Sequence, residues 1–222
     1  MSPLFFDTET TGLPDFKKPA SDPSHPHIVQ LGAILYDDAR HVVSEINLLV
    51  RPEGWTIPAE ASAVHGITQE AADKYGLPLA SVMLLFLDLC ARADLIVAHN
   101  HSFDEKMIRR EWHHLGNEAV AETFRKIPSF CTMKATTDIC KLPGKYGYKW
   151  PKMQEAYRHF FGKDFEGAHD AMADVRACAA VYWAINPLLT VEPNPDPEPD
   201  YSAPKPLTPQ ENFERNHRNN VP

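Results

Sequence analysis

Two acidic residues at the end of an apolar run are the first feature of the sequence that could do chemistry. Asp7 and Glu9 follow residues 4–6, Leu-Phe-Phe, a run that predicts a buried strand. Side chains two positions apart on a strand share a face, so both carboxylates can point at one cation. Carboxylate oxygens are hard ligands and suit Mg²⁺ or Mn²⁺ better than a softer metal. The alternative is that the pair caps a strand edge in solvent.

A third carboxylate lies near the start of a predicted helix. The short apolar run 95–98 predicts a buried strand, and Asp104 falls in the first turn of the helix that follows it. We expect Ser102 to cap this helix, which continues through Leu115. An aspartate at this position can also serve the helix alone, because the positive end of the macrodipole favours a negative side chain.

His169 and Asp174 form a second unusual pair, at the start of a helix predicted from about His169 to Ile185. A spacing of five on a helix corresponds to about 500° of rotation, so the two side chains are not stacked. They can flank one site only if His169 lies in the incoming loop or at the helix start. Otherwise they are a capping histidine and a solvated aspartate.

The elements that must position these residues follow a pattern of strands and helices. The strands predicted at Ile28–Tyr36 and Val42–Val50 form an antiparallel meander with the first strand. Thr68 is expected to be a helix N-cap, because its hydroxyl can accept from a free backbone N–H. Helices are further predicted at 58–64, 79–93 and 151–161, a strand end at 130–133, and loops at 15–27 and 142–149.

Composition and charge limit the class of protein. With 222 residues and 43% hydrophobic content, the chain can build one core of ordinary size. No run approaches the ~20 apolar residues of a membrane span, and Met1-Ser2-Pro3 does not begin a signal peptide. The four cysteines are scattered, which indicates reduced thiols in a cytoplasmic protein. The net charge of −8 argues against broad, nonspecific duplex binding.

Residues 187–222 differ in composition from the rest. This segment contains nine prolines, six acidic and three basic residues, and few apolar ones. We predict that it is an acidic tail, disordered or extended, because it cannot bury enough apolar surface to offset ordering. Residues 204–209, Pro-Lys-Pro-Leu-Thr-Pro, could bind a protein partner, or the tail could be an extension without a role.

Taken together, the motifs resemble those of a known family. In order and separation, Asp7-x-Glu9, Ala98-His99-Asn100-x-x-Phe103-Asp104 and His169-x-x-x-x-Asp174 resemble the three motifs of the DnaQ-like 3′→5′ exonucleases, in the DEDDh subgroup with histidine in the third motif. The resemblance extends to Gln30-Leu31-Gly32-Ala33 and His65-Gly66-Ile67-Thr68, and it covers roughly residues 3–186.

The resemblance implies a ribonuclease H-like α/β fold, with a five-stranded mixed sheet flanked by helices, over residues 1–186. It implies that Asp7, Glu9, Asp104 and Asp174 hold two divalent cations, Mg²⁺ with Mn²⁺ as a substitute. Imidazole titrates near neutral pH, so His169 suits the role of general base toward water. The implied product is a nucleoside 5′-monophosphate. The implied contacts to the 3′ end are Thr10, Thr11, Gly12, Leu13, His65 and Asn100, for each of which the alternative is a turn or packing role.

The sequence leaves the substrate and the role open. DNA is favoured over RNA on family breadth alone, since no residue can be assigned to sensing the 2′-hydroxyl. The alternatives are an exoribonuclease, or a non-catalytic adaptor that keeps the fold and binds a larger assembly. Retention of all four carboxylates and His169 favours the enzyme, because an adaptor gains nothing from crowding like charges. We interpret His99 and His101 as structural.

Overall fold

The computed structural model describes residues 1–186, and the predictions for the 187–222 tail lie outside the described residues. The strands are β1 Pro3–Thr10, β2 Ile28–Tyr36, β3 Val42–Leu49, β4 Leu95–Ala98, β5 Ser129–Cys131, β6 Pro143–Gly144 and β7 Gly147–Tyr148. The helices are α1 Ala59–His65, α2 Gln69–Tyr75, α3 Leu79–Cys90, α4 His101–His114, α5 Glu118–Phe124, α6 Thr132–Cys140, α7 Met153–Phe161 and α8 Ala171–Ile185.

One five-stranded sheet organises this part of the chain, in the order β3-β2-β1-β4-β5. The pairs β1–β2 and β2–β3 are antiparallel, whereas β1–β4 and β4–β5 are parallel. The predicted meander is therefore confirmed, and so is the α/β fold with a mixed five-stranded sheet flanked by helices. Strand β1 lies in the middle of the sheet.

Alternating side chains of β1 bury two different helical layers. Phe6 packs against Phe86 of α3, in a cluster that also contains Met107 of α4. Phe5 points to the other face and packs against Tyr182 of α8, with ring centroids 5.3 Å apart. Because a fully buried Phe contributes roughly 1.5–3 kcal/mol, this strand is strongly fixed in position. At the end of β1, the direction in which each side chain points is therefore fixed.

The predicted beginnings of three helices are wrong by about two residues. Helix α4 begins at His101 and Asn100 is its N-cap, so Ser102 lies inside the first turn. Helix α7 begins at Met153, because Lys152 is still extended and its backbone N–H donates to Oε2 of Glu155 at 2.8 Å. Helix α8 begins at Ala171, and its N-cap is Asp170.

Other predictions about elements stand or need correction. The hydroxyl of Thr68 accepts from the backbone N–H of Ala71, so this N-cap is confirmed. The predicted loop 142–149 instead contains a small hairpin, formed by β6 and β7. Among residues 1–186, no helix is both long and apolar enough to cross a bilayer.

Candidate active site

A cleft of about 740 Å³ opens where β1 ends. Its walls come from the segment after β1, from α1, from the β4–α4 junction and from the loop and first turn of α8. Every site residue predicted from the sequence lines this cleft: Asp7, Glu9, Thr10, Thr11, Gly12, Leu13, His65, Asn100, Asp104, His169 and Asp174. Residues far apart in the sequence therefore meet at one place.

Strand alternation explains how β1 divides its polar side chains. Asp7 and Glu9 have the same parity as Phe5, the residue that packs on α8. Thr8 has the opposite parity, and its side chain reaches α4. A register shift follows Glu9, since Glu9 pairs with Gln30 whereas the next residue pairs with Ile28. The chain can therefore leave the sheet directly after the two carboxylates.

Asp104 is held by Thr8 through two hydrogen bonds. The backbone N–H and the hydroxyl of Thr8 both donate to Oδ1 of Asp104, at 3.0 and 2.8 Å. Burial raises the pKa of Asp104 to about 7, although the bonds from Thr8 act in the opposite direction. The first-turn aspartate is thus fixed against β1 and does more than support its own helix.

His169 lies in the loop before α8, which is the placement that allows it to share a site with Asp174. Its backbone has a positive φ of 71°, and its N–H donates to Oδ2 of Asp174 at 2.8 Å. Ligand atoms of Glu9, His169 and Asp174 all lie within 4.8 Å of one another. A non-glycine residue in this backbone region is uncommon and is often found at functional sites.

The first turn of α8 is fixed against β2. Oδ1 of the N-cap Asp170 accepts from the N–H groups of Met172 and Ala173. Gln30 accepts from the N–H of Ala171 at 3.1 Å and donates to Oδ2 of Asp170 at 3.0 Å. At Gly32, an added Cβ would lie 2.9 Å from the carbonyl carbon of Ala171. The helix therefore approaches the strand at a distance that only glycine permits.

Negative charge dominates the cleft. Burial, followed by the carboxylates of Asp104, Asp174 and Glu9, raises the pKa of Asp7 well above its usual value. Burial and the carboxylate of Asp174 raise the pKa of Glu9 to about 8. Burial also raises the pKa of Asp174, although the hydrogen bond from the backbone N–H of His169 acts in the opposite direction.

The residue types around this charge fit divalent cations. Among the described residues, no lysine or arginine lines the cleft, so protein side chains do not supply the compensating positive charge. The donor set consists of carboxylate oxygens, which hard cations such as Mg²⁺ and Mn²⁺ prefer. A cation would also relieve the mutual repulsion that raises these pKa values.

His65 faces His169 from α1. Its Nδ1 accepts from the N–H of Ile67 at 3.1 Å, so the neutral ring carries its proton on Nε2. That Nε2 is buried and has no hydrogen-bond partner within residues 1–186. Burial, and to a lesser extent the neighbouring His169, lower the pKa of His65. An N–H donor of a residue that lines the cleft is thus left without a partner among the described residues.

Sequence reasoning missed the residues that orient the site. Thr8 and Gln30 were not assigned roles, although strand alternation predicts that Thr8 points away from Asp7. The prediction that His99 is a structural residue agrees with its contacts. Its ring forms hydrogen bonds with the Thr132 hydroxyl and the Pro151 carbonyl, both at 2.9 Å. Burial lowers the pKa of His99 to about 4, so its ring is neutral. Sequence patterns also did not assign a role to the N-cap of α1, Pro58, or to the α1 residues of the cleft, Glu60, Ala61 and Val64.

A family model described as an exonuclease matches residues 4–182, which include the whole cleft. The chain belongs to the exonuclease family. The resemblance to DnaQ-like exonucleases is thereby confirmed, and the chain is an enzyme of the exonuclease class. Exonuclease CP81 of Escherichia phage 186 is 33% identical to it over 193 residues, covering 82% of this chain and 87% of the phage protein.

Two other similar proteins are covered by this chain over a smaller share of their own length. The DNA polymerase III subunit epsilon of Buchnera aphidicola subsp. Acyrthosiphon pisum is 27% identical, covering 81% of this chain and 70% of the relative. The solved structure of Escherichia coli exonuclease I with a dT13 oligonucleotide superposes with a TM-score of 0.67 at 20% identity. That likeness shows a shared fold, and it covers 85% of this chain but only 42% of exonuclease I.

Proposed function

We propose that the protein is a metal-dependent 3′→5′ exonuclease that removes nucleoside 5′-monophosphates from single-stranded or frayed 3′ ends of DNA. One observation carries the proposal: four carboxylates and His169, drawn from β1, α4 and the start of α8, line a single cleft. An adaptor would have no use for this convergence, because buried like charges destabilise a fold unless a cation compensates them.

Asp7, Glu9, Asp104 and Asp174 would hold two divalent cations, with Mg²⁺ as the native metal and Mn²⁺ as a substitute. When bound, such a pair stabilises negative charge on the attacking and leaving oxygens of an in-line phosphodiester hydrolysis. The protein contributes the fixed positions of the ligands. Thr8 holds Asp104, and the packing of Phe5 and Phe6 fixes the strand that carries Asp7 and Glu9.

His169 would act as the general base. Its ring makes no hydrogen bond to residues 1–186, is exposed to the cleft, and lies beside Glu9 and Asp174. An imidazole nitrogen in this position can take the proton of the attacking water. Asp174 holds the backbone N–H of His169, so it would both bind metal and set the position of the base.

The segment after Glu9 would hold the terminal nucleotide. The hydroxyl of Thr10 donates to the carbonyl of Gly12 at 2.7 Å, and the hydroxyl of Thr11 accepts from the N–H of His27 at 2.9 Å. This fixed turn presents Leu13, which is 87% exposed, as an apolar surface for a base. Nε2–H of His65 would donate to an oxygen of the sugar, and Asn100 would line the opposite wall.

The choice of DNA is supported by the relatives. One is named a subunit of DNA polymerase III, and exonuclease I has been solved with a DNA oligonucleotide. Single-stranded DNA suits a protein with a net charge of −8, since short single-strand contacts require fewer cationic side chains than a duplex interface.

A time course with 5′-labelled single-stranded DNA and RNA of the same sequence tests the function. With Mg²⁺ or Mn²⁺ we expect a ladder that shortens from the 3′ end, faster for DNA, and no cleavage in chelator. Faster cleavage of RNA would reassign the enzyme as an exoribonuclease. No cleavage of either by folded protein would favour the adaptor.

A matched pair of variants connects that activity to the cleft. Glu9→Gln should reduce kcat by at least about 100-fold, the order of effect expected when a group acting on the transition state is removed. Glu70→Gln, an exposed first-turn glutamate of α2 outside the cleft, should leave kcat unchanged. Wild-type turnover by the Glu9 variant would contradict the proposed metal site.

A further inference from the structure

A second surface, outside the cleft, has the composition of a nucleic-acid contact. Residues 141–152 read Lys-Leu-Pro-Gly-Lys-Tyr-Gly-Tyr-Lys-Trp-Pro-Lys, with four lysines, three aromatic residues and no acidic residue. We call this segment the lysine–aromatic hairpin. Its positive charge contrasts with the net charge of −8 of the whole chain. None of its residues lines the cleft.

The hairpin has an ordered backbone. Pro143 pairs with Tyr148 and Gly144 with Gly147, and the N–H of Lys149 donates to the carbonyl of Leu142 at 3.0 Å. Gly147 has a φ of +129°, which L side chains rarely adopt, so glycine is required at this end of the turn. A short turn of this kind fixes the direction of the side chains that it carries.

The aromatic side chains of the hairpin are held out in solvent. Tyr146 is 91% exposed, Trp150 is 63% exposed and Tyr148 is 51% exposed. Large aromatic rings normally bury most of their surface, and an exposed group of them marks an interaction site. Three exposed π faces can stack on bases whatever the sequence, because every base has a π face.

Three of the four lysines of the hairpin are available for phosphates. Within residues 1–186, Lys141, Lys145 and Lys152 form no ion pair, whereas Lys149 pairs with Glu155 at 2.5 Å. Nζ of Lys145 lies 5.1 Å from the ring centroid of Tyr146. Cations that flank exposed aromatic rings suit a single strand, which offers both phosphates and bases.

A direct contact joins the hairpin to the wall of the cleft. Pro151, at the end of the hairpin, has a buried carbonyl that accepts from Nε2 of His99 at 2.9 Å. His99 lines the cleft and directly precedes Asn100. One end of the hairpin therefore lies against the wall of the cleft that is proposed to hold the 3′ end.

We propose that the lysine–aromatic hairpin binds the single strand upstream of its 3′ end, by stacking bases on Tyr146, Tyr148 and Trp150 and pairing phosphates with Lys141, Lys145 and Lys152. This proposal rests on the proposed function, since it assigns a second contact to the same substrate. The hairpin would lower KM for long strands and leave the chemical step unchanged.

Strand length separates the two contacts in an experiment. We would measure kcat and KM on a trinucleotide, which occupies the cleft alone, and on an oligothymidylate of roughly 16 nucleotides, the upper range for such a site. For the double variant Tyr146→Ala/Trp150→Ala, KM for the long strand should rise roughly tenfold, with kcat and the trinucleotide values unchanged. Equal changes on both substrates, or none, would overturn the proposal.

Helix α2 provides a matched control. Lys74 and Tyr75 repeat the arrangement of Lys145 and Tyr146, with Nζ 5.0 Å from the ring centroid and Tyr75 65% exposed. Lys74→Gln and Tyr75→Ala should leave KM for the long strand unchanged, whereas Lys145→Gln should raise it and reduce its dependence on salt. A rise of the same size in both pairs would indicate a general effect of surface charge and would overturn the assignment.

A binding measurement keeps the two proposals distinguishable. If the wild-type protein cleaves neither substrate, the proposed function fails, and fluorescence anisotropy of the labelled oligothymidylate in chelator still tests the hairpin. Weaker binding by the double variant than by wild type would support the hairpin contact. Equal binding would overturn it and leave the surface to an acidic protein partner.

Discussion

Glu9 shows how the cleft changes the ionisation of a single carboxyl group. Its side chain accepts no hydrogen bond from residues 1–186, and burial together with nearby carboxylates raises its pKa from 4.5 to about 8. A carboxyl with a raised pKa in the folded state destabilises that state once it ionises. Without metal, ionised Glu9 therefore destabilises the folded state, and this cost grows as pH rises.

We expect Glu9→Gln to remove part of this cost. In chelator, the wild-type free energy of unfolding should fall as pH rises from about 4.5 to about 8, because only the unfolded chain loses this proton easily. At pH 8 the variant should be more stable by roughly 1–3 kcal/mol, allowing for solvent screening. Urea unfolding at both pH values measures this, with Glu70→Gln as control. Parallel pH profiles for wild type and the Glu9 variant would contradict the assignment.

His65 gives a second prediction about a single residue. If Nε2–H donates to the substrate, His65→Ala should raise KM about fivefold with little change in kcat, the size of one neutral hydrogen bond. The exposed His159 lies outside the cleft, so His159→Ala should leave KM unchanged. A fall in kcat with constant KM would instead give His65 a role in the chemical step.

At the scale of elements, the contact between β2 and α8 decides where the base and one metal ligand lie. Gln30 binds the first turn of α8, and Gly32 leaves room for it. We expect Gly32→Ala to displace that turn, since its Cβ would also lie 3.0 Å from the backbone nitrogen of Met172. The expected cost is roughly 1–3 kcal/mol of stability. Urea unfolding measures this cost.

The same substitution should reduce activity as well. A shift of α8 moves His169 and Asp174 away from Glu9, so kcat should fall together with the affinity for Mn²⁺ measured by titration calorimetry. Gln30→Met, which loses both hydrogen bonds to the start of α8 and the one to Asn47 without adding a clash, should change these quantities in the same direction. Unchanged Mn²⁺ affinity in both variants would show that the contact supports the fold alone.

The sequence predicted the sheet and the convergence of the site, but not how the site is held. Alternation and apolar runs were sufficient for β1 and β2, and ordered motifs were sufficient for Asp104 and Asp174. The positive φ of His169 and the hydrogen bonds of Thr8 and Gln30 depend on tertiary structure. Local sequence patterns therefore do not predict them. The predicted start of α4 was wrong because Asn100 is its N-cap in a left-handed backbone conformation and forms no side-chain cap hydrogen bond, so the capping preference that favours Ser102 did not apply.

At the scale of the whole molecule, the exonuclease unit is predicted to be complete within residues 1–186. The family match at 4–182 and the cleft both fall inside this range. A chain that ends after Asn186 should keep trinucleotide turnover and urea stability within about twofold of the full chain, as expected when a terminal segment adds little to a core. Loss of folding or turnover would place part of the enzyme in the remaining residues.

The parity of β1 has a consequence for changes in chain length. One extra residue between Phe5 and Asp7 would turn both carboxylates toward α4 and Thr8 toward α8, whereas two extra residues would restore every direction. Insertions at this point should therefore be tolerated by evolution only in pairs, if at all. A deep insertion scan read out by nuclease activity would show an odd–even alternation here and none in the 15–27 loop.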